Sequence, residues 1–306
     1  MNFRELSYIT TVADCQSITK AAQKLYISQP SLSHTISKIE DEMGVKLFDR
    51  TTYPITLTYA GERYVETARQ ILRLSDNLTR EFMDISDGVT GRIMIGMPTE
   101  RVGYMLPKIF PVFKKEYPGI EIQTLEGKYE ILIDSILKGQ TNFVIVPIRN
   151  GVLETSSDLT SELIYKEELV FVADEEFVPE EARIPGHPDC VDLSKLQNIP
   201  YVLIRKGHSV RATTDSMFRT YRVSPKNVME TDSTLTAFNL AMSGAGAAIV
   251  PQRTVDMSNQ LNHYQCYHIG EEGFFWDVIV IYRKDSYLDK AERRFIEIAK
   301  EVFQGR

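Results

Sequence analysis

Pro30, Ser33, His34, Ser37 and Lys38 fall on one side of a helical pattern whose other side is the apolar stripe Leu32, Ile36, Ile39 and Met43, at about 100° per residue. The polar side offers hydrogen-bond donors and acceptors, and no acid until Glu40, Asp41 and Glu42 at its far end. Such side chains, at the N-terminal turns of a helix, can bond base edges in the major groove of duplex DNA. Gln29, Ser33 and His34 are the candidates for base contacts, with Lys38 behind them and Pro30 shaping the first turn. Thr19, Lys20, Ser31, Arg50 and Thr51 supply the hydroxyls and cations that hold phosphate.

These residues need a frame, and the neighbouring sequence predicts one. Ser17 can cap a short helix that keeps Ala21, Ala22 and Leu25 on one side. Ser28 can cap a second, with Pro30 where a missing N–H costs nothing and Gly44 as the left-handed stop. Val45 to Phe48 and Ile55 to Thr58 alternate like the half-buried strands of a wing, with Arg50 at its tip. The sum is a winged helix-turn-helix. Ahead of it, Phe3, Leu6, Ile9 and Ala13 mark an amphipathic helix, and no signal segment or membrane span is visible. The net charge of -7 over 306 residues runs against nucleic-acid binding when read globally. Locally, Lys20, Lys24 and Lys38 give +3 between Ser17 and Ile39 with no acid. Met1 to Ala60 balances six Lys/Arg against six Asp/Glu, so affinity for arbitrary DNA is expected to be modest.

Tyr64, Ala68, Ile71, Ser75, Leu78, Phe82 and Ile85 advance by steps of four and three, the heptad spacing of two helices packed side by side. This predicts a dimerisation helix capped by Thr58 and ended by Asp87-Gly88 and Gly91; the alternative is an amphipathic helix folded back on its own domain. Beyond Gly91, apolar runs alternate with helical stretches, the pattern of an open, largely parallel α/β sheet. Strands are predicted at 93–96, 120–125, 143–146, 169–173, 201–204, 247–250 and 278–282, and helices at 102–116, 129–138, 210–221, 233–243 and 287–303. Sheets of this kind bind small molecules beyond the carboxyl ends of their strands.

The run Ser17 to Ala22, then Ser28-Gln29-Pro30-Ser31-Leu32-Ser33, Leu47-Phe48-Asp49-Arg50 and Leu57-Thr58-Tyr59-Ala60-Gly61, closely resembles the N-terminal signature of LysR-type transcriptional regulators. Arg92-Ile93-Met94-Ile95-Gly96, Leu106-Pro107, Phe113 with Tyr117-Pro118, Leu125 with Gly127, and Gly244 to Pro251 resemble that family's effector domain. The resemblance implies a winged helix-turn-helix over 1–60, a linker and dimerisation helix with a hinge over 61–91, and a periplasmic-binding-protein-like effector domain over 92–306. Within the last, subdomain 1 would take about 92–162 and 267–306, and subdomain 2 about 163–266. It further implies a cytoplasmic regulator rather than an enzyme, a homodimer through the linker helix and a homotetramer as a dimer of dimers. The expected partners are double-stranded DNA, a small-molecule effector and RNA polymerase, with no cofactor and no membrane.

The effector cleft would be lipped by Pro98, Thr99, Glu100 and Arg101, by Glu126, Gly127 and Lys128, by Pro147 and Arg149, by His208 and Ser209, and by Asp232 and Ser233. Several are positions where helix N-terminal amides hold anions. Arg101, Lys128, Arg149 and His208 favour a carboxylate or phosphate-bearing metabolite, whereas Glu100 and Glu126 would pair with those cations or select an amine. Three departures stand out: His34 where the family commonly has Arg, Tyr53 at an often basic wing position, and Thr141-Asn142 in place of Leu-Asp.

Other signals carry less. Gly244-Ala245-Gly246 lies between a helix and a strand, the reverse of a phosphate-cradling loop. His263, Cys266 and His268 alternate along an extended segment and so face opposite sides, which argues against a metal site. Cys190 and Cys266 read as ordinary packing or surface thiols. No nucleophile elbow, Gly-Lys-Ser/Thr run or two-His motif is present to support catalysis. A solute-binding module and a metabolite-binding enzyme are the competing functions.

Overall fold

The computed structural model describes residues 2–51, 53–85, 90–148, 158–258 and 265–304. The chain divides into two compact units, Met1–Gly88 and Val89–Arg306.

The first unit begins with α1 (Phe3–Cys15), whose Asn2 side chain accepts from the Glu5 N–H while the Glu5 carboxylate accepts from the Asn2 N–H, both at 2.9 Å. Ser17 caps α2 (Ile18–Lys24) and Ser28 caps α3 (Gln29–Met43), which stops on Gly44 at φ 69°. Leu32, Ile36 and Ile39 of α3 are buried with Ile9, Val12, Ala21, Ala22, Leu47, Phe48 and Val65. Each such large apolar side chain stabilises the unit by about 1.5–3 kcal/mol.

The wing strands β1 (Phe48–Asp49) and β2 (Thr56–Leu57) are half the predicted length, pairing Phe48 with Leu57 and Asp49 with Thr56. The backbone before β1 is engaged elsewhere: the Val45 N–H donates to the Glu40 carbonyl and the Leu47 N–H to the Glu40 side chain. Thr58 Oγ1 accepts from the Gly61 N–H at 3.0 Å and so starts α4 (Tyr59–Ile85). A Cβ on Gly61 would lie 1.9 Å from the Leu47 carbonyl oxygen, so only glycine lets the helix approach the wing base this closely.

The heptad stripe of α4 divides into two. Of its residues, Ala68 is buried in the unit's own core together with the neighbouring Val65, whereas Leu78 and Phe82 are exposed by more than half, as is Leu74 beside the stripe.

The second unit has elements β3 (Gly91–Met97), α5 (Thr99–Glu116), β4 (Ile120–Glu126), α6 (Tyr129–Leu137), β5 (Phe143–Ile148), β6 (Leu159–Ala173), β7 (Arg183–Ile184) and β8 (His187–Val191). Then follow β9 (Pro200–Ile204), α7 (Ser209–Tyr221), β10 (Lys226–Thr231), α8 (Thr234–Met242), β11 (Ala248–Pro251), α9 (Gln252–Met257), β12 (Gln265–Ile269), β13 (Phe275–Arg283) and α10 (Lys290–Gln304).

Strands β4-β3-β5-β13-β6-β12-β8-β7 lie in one order, with β11 also on β6, while β9 and β10 pair separately. The sheet is mixed rather than largely parallel: β3 runs parallel to β4 and β5, but β13, β11 and β12 are all antiparallel to β6. The cause is the length of β6 and β13, which travel in opposite directions through two lobes. In the first lobe, alternate residues serve opposite faces. Phe143, Ile145, Val278 and Val280 pack with α5 and α10, and Val144, Val146, Ile279 and Ile281 pack with α6. In the second, Leu169 to Ala173 join β9, α7 and α8. Tyr267, Ile269 and Trp276 pack in that second core.

Candidate nucleic-acid interface and effector cavity

In the first unit the polar side of α3 is open. Gln29, Pro30, Ser31, His34 and Lys38 are exposed, as are Thr19 and Lys20 on α2, and Ser33 is half-buried. Ser28 Oγ accepts from the Ser31 N–H at 3.4 Å, and the Lys38 ammonium lies 3.7 Å from Glu42. On the wing, the Thr51 N–H and hydroxyl both donate to Asp49 Oδ1, at 2.8 and 2.6 Å, which fixes the tip and lowers the Asp49 pKa.

Arg50 is less free than a phosphate-reaching tip residue. Its Nη2 donates to Glu40 Oε2 at 3.3 Å, although the side chain keeps 39% of its surface exposed. Glu40, which sequence reasoning placed in a distal acid cluster, is the organising group. Its side chain is fully buried, and Oε1 accepts from the N–H groups of Leu47 (2.9 Å) and Phe48 (3.3 Å). Its Oε2 accepts from Lys46 Nζ at 3.1 Å. One carboxylate thus pins the wing to the recognition helix. A sequence signal existed: Glu40 follows Ile39 within the reach of the buried stripe, where an acid needs partners.

In the second unit a cavity of about 530 Å³ opens where several helices begin. Pro98, Thr99, Glu100 and Arg101 line it from the start of α5, Gly127 and Lys128 from that of α6, and Pro147 from β5. His208 and Ser209 line it from the start of α7, and Asp232 and Ser233 from that of α8. Of the predicted lips, Glu126 lies outside the lining, exposed at the end of β4 with its carboxylate 3.5 Å from Thr124 Oγ1. Arg149 falls outside the described residues. Tyr129, Ile204, Val210, Thr234, Arg253 and Trp276 also line the cavity. Trp276 had a visible signal as the only tryptophan of the chain.

Arg101 does not present its charge to a ligand. It is wholly buried, donating to Glu167 Oε2 and to the Tyr165 hydroxyl, both at 2.8 Å. Glu167 Oε2 also accepts from Arg253 Nη1 (2.9 Å) and Trp276 Nε1 (2.8 Å), and Oε1 accepts from the Tyr165 hydroxyl (3.1 Å). Burial alone would raise the Glu167 pKa, but the charges of Arg101 and Arg253 outweigh it and hold the carboxyl down to about 2.

Above this cluster, Glu100 accepts from the Thr234 N–H at 2.7 Å and from the Thr234 hydroxyl, so α5 supplies the anion at the start of α8. At the N-termini of α5, α6 and α7 the caps Pro98, Lys128 and His208 make no side-chain capping bond, and the acids of the first turns are Glu100 on α5 and Glu130 on α6. Asp232 is held by Arg205 and by His208 Nε2 at 3.0 Å, and the His208 hydrogen bond lowers its pKa. Lys128 forms no ion pair among the described residues, and its Nζ would lie 3.3 Å from a Cβ on Gly207, across the mouth.

Outside these sites, burial raises the Cys266 thiol to about 11, which leaves it protonated at neutral pH. No cluster of three metal-ligating side chains occurs among the described residues, and His263 falls outside them. Asn142, the departure from Leu-Asp, accepts from the Met94 N–H at 2.7 Å and also bonds Glu292. No described helix is long and apolar enough to cross a membrane.

A winged helix-turn-helix with an open recognition face and a second unit built around a ligand-sized cavity define a DNA-binding regulator with a sensory domain. Residues 3–62 match the family model described as "Bacterial regulatory helix-turn-helix protein, lysR family", and residues 86–304 match "LysR substrate binding domain". The chain belongs to the LysR family of DNA-binding transcriptional regulators. It is 28% identical to the uncharacterized HTH-type transcriptional regulator YcgK of Bacillus subtilis, over 98% of this chain and 94% of that protein. Among solved structures it is similar to a full-length OxyR variant from Pseudomonas aeruginosa (TM-score 0.73, 22% identity, 99% of this chain and 94% of that one). It is also similar to full-length CbnR complexed with its target DNA (TM-score 0.59, 22% identity, 99% and 100% coverage).

Proposed function

We propose that this regulator senses a small anionic metabolite in the 530 Å³ cavity and that occupancy changes how its paired DNA-binding units engage two major-groove half-sites. The observation that carries the anionic reading is Lys128, a cation without an ion-pair partner among the described residues, set at a cavity where three helices start without side-chain caps. Amides and cation together supply the charge that an effector carboxylate or phosphate needs. Asp232 is hydrogen-bonded to Arg205 and His208 and feels the Lys128 charge without a direct ion pair, so the ammonium keeps its donors for an effector.

Gln29, Ser33 and His34 read base edges in this proposal. Thr19, Lys20, Ser31, Thr51 and the exposed part of Arg50 hold phosphate. Leu74, Leu78 and Phe82, spaced four residues apart and exposed, form the seam of a homodimer through α4. A homotetramer, contact with RNA polymerase, a cytoplasmic location and the lack of catalysis complete the proposal.

A thermal-shift titration across a metabolite panel tests the effector site. Anionic hits should raise the melting temperature of the wild type and lose their effect in Lys128→Gln and Thr99→Val, both still binding DNA. Hits confined to neutral or cationic compounds, indifferent to Lys128→Gln, would overturn the anionic reading. Turnover of any hit by the purified protein would overturn the non-catalytic one.

A further inference from the structure

Tyr26 ends α2 in the left-handed region, at φ 55°. The hydrogen bonds around it explain the turn. The Ile27 N–H donates to the Ala22 carbonyl at 3.0 Å and the Tyr26 N–H to the Gln23 carbonyl at 3.1 Å, the paired closure with which helices stop on a left-handed residue. Glycine takes that conformation freely, and a residue with a Cβ is strained in it. Two other described helices stop on non-glycine residues of this kind, Gln16 and Arg222, and both are polar side chains suited to water.

Tyr26 differs in chemistry. Its surface is 96% exposed, the largest fraction among the exposed large apolar side chains of the described residues. Packing within the protein therefore offsets neither the strained backbone nor the hydration of a bare aromatic ring. The position points outward to a partner. Tyr26 stands two residues before Ser28, the cap of the recognition helix, and three before Gln29. In a helix-turn-helix the N-terminus of the second helix enters the groove, so the turn that leads into it faces the flanking sugar-phosphate strand. The surrounding segment, Ser17 to Ile39, carries three lysines and no acid.

We propose that Tyr26 is a DNA-contacting residue: its phenol hydroxyl donates a hydrogen bond to a phosphate oxygen beside the recognition helix while the ring covers the adjoining sugar. Tyrosine is among the side chains that bind phosphate in this way, and the contact carries no sequence information. A neutral donor releases no counterion, so it strengthens binding without adding to the salt dependence.

The test uses the full-length protein and two duplexes, one of mixed sequence and one selected from a randomised library for tight binding, with affinity measured by anisotropy over a salt series. Tyr26→Phe keeps the ring and backbone and should weaken binding to both duplexes by roughly threefold to tenfold, with the salt slope unchanged. Lys20→Ala, as the charged comparison, should lower that slope by about one. Tyr26→Gly should raise the melting temperature of the free protein and weaken DNA binding at least as much as Tyr26→Phe. If both Tyr26 variants bind both duplexes like the wild type, Tyr26 only terminates a helix and the proposal fails. A loss confined to the selected duplex would also overturn it, by making Tyr26 a base-reading residue.

Discussion

Removing the Glu40 side chain should unfold the DNA-binding unit more readily than any other single change to its charged residues. The carboxylate is fully buried and takes four donors: the Leu47 and Phe48 amides on one oxygen, Lys46 and Arg50 on the other. In Glu40→Ala the two amides lose their side-chain acceptor in a region where Leu47 and Phe48 are 1% and 4% exposed. An unsatisfied buried donor costs about 1–3 kcal/mol. Lys46 and Arg50 add little, because their side chains are 65% and 39% exposed and solvent replaces the lost ion pairs. Relief from burying the carboxylate offsets part of the total, leaving a net loss of about 3 kcal/mol. Glu40→Gln keeps one acceptor oxygen for the amides and should lose about 1–2 kcal/mol.

The measurement is urea unfolding of the full-length protein by far-ultraviolet circular dichroism, with Trp276 fluorescence reporting the second unit separately. Glu40→Ala should move the helical signal to lower urea while the Trp276 transition stays in place. The freed wing should also weaken binding to any duplex, whatever its sequence. A Glu40→Ala stability within about 0.5 kcal/mol of wild type would refute the pinning role, since that is the range of ordinary surface substitutions.

Other outcomes follow from the same structure. The folded Glu167 pKa of about 2 lies below its unfolded value, so its contribution to stability is full above about pH 4.5 and fades as pH falls toward 2. Acid titration of Trp276 fluorescence should show that loss in the wild type and a flatter profile in Glu167→Gln. Gln29→Ala and Ser33→Ala should each weaken binding to the selected duplex by about 1–3 kcal/mol and spare random DNA; equal losses on both would remove their base-reading role. Leu78→Asp combined with Phe82→Asp should leave the winged unit folded and shift the particle to monomer in light scattering, and an unchanged mass would refute α4 as the dimer seam.

Local patterns announced most of the first unit. Ser17, Ser28, Thr58 and Gly44 perform the capping and stopping that their types suggest, because such interactions are settled within four residues. Alternation in Val45 to Phe48 predicts a longer wing strand than forms, because it does not reveal that Glu40 captures the backbone amide of Leu47. In the second unit the apolar end of β6, Leu169 to Ala173, was legible, but its first ten residues were not. That stretch is Leu-Thr-Ser-Glu-Leu-Ile-Tyr-Lys-Glu-Glu, and what makes it a strand is pairing with β13 more than a hundred residues later.

The same limit hides the partners of Arg101 and the role of Glu167 from local sequence. Helix position correctly placed Arg101 beside the cavity, yet position alone cannot say whether a cation is free. Its partner is 66 residues away, and Arg253, which shares that carboxylate, is 86 residues beyond Glu167. Glu167 therefore ties α5 of the first lobe to α9 of the second, on the two strands that pass between the lobes, since Trp276 is both its cross-strand neighbour and its donor. A buried ion cluster is weak evidence for net stability, because desolvation cancels much of the attraction. What it does enforce is geometry: three donors from three elements must meet one oxygen. An effector that moved one lobe against the other would have to shift those donors together, and all three of them, Arg101, Arg253 and Trp276, line the cavity in which it would sit.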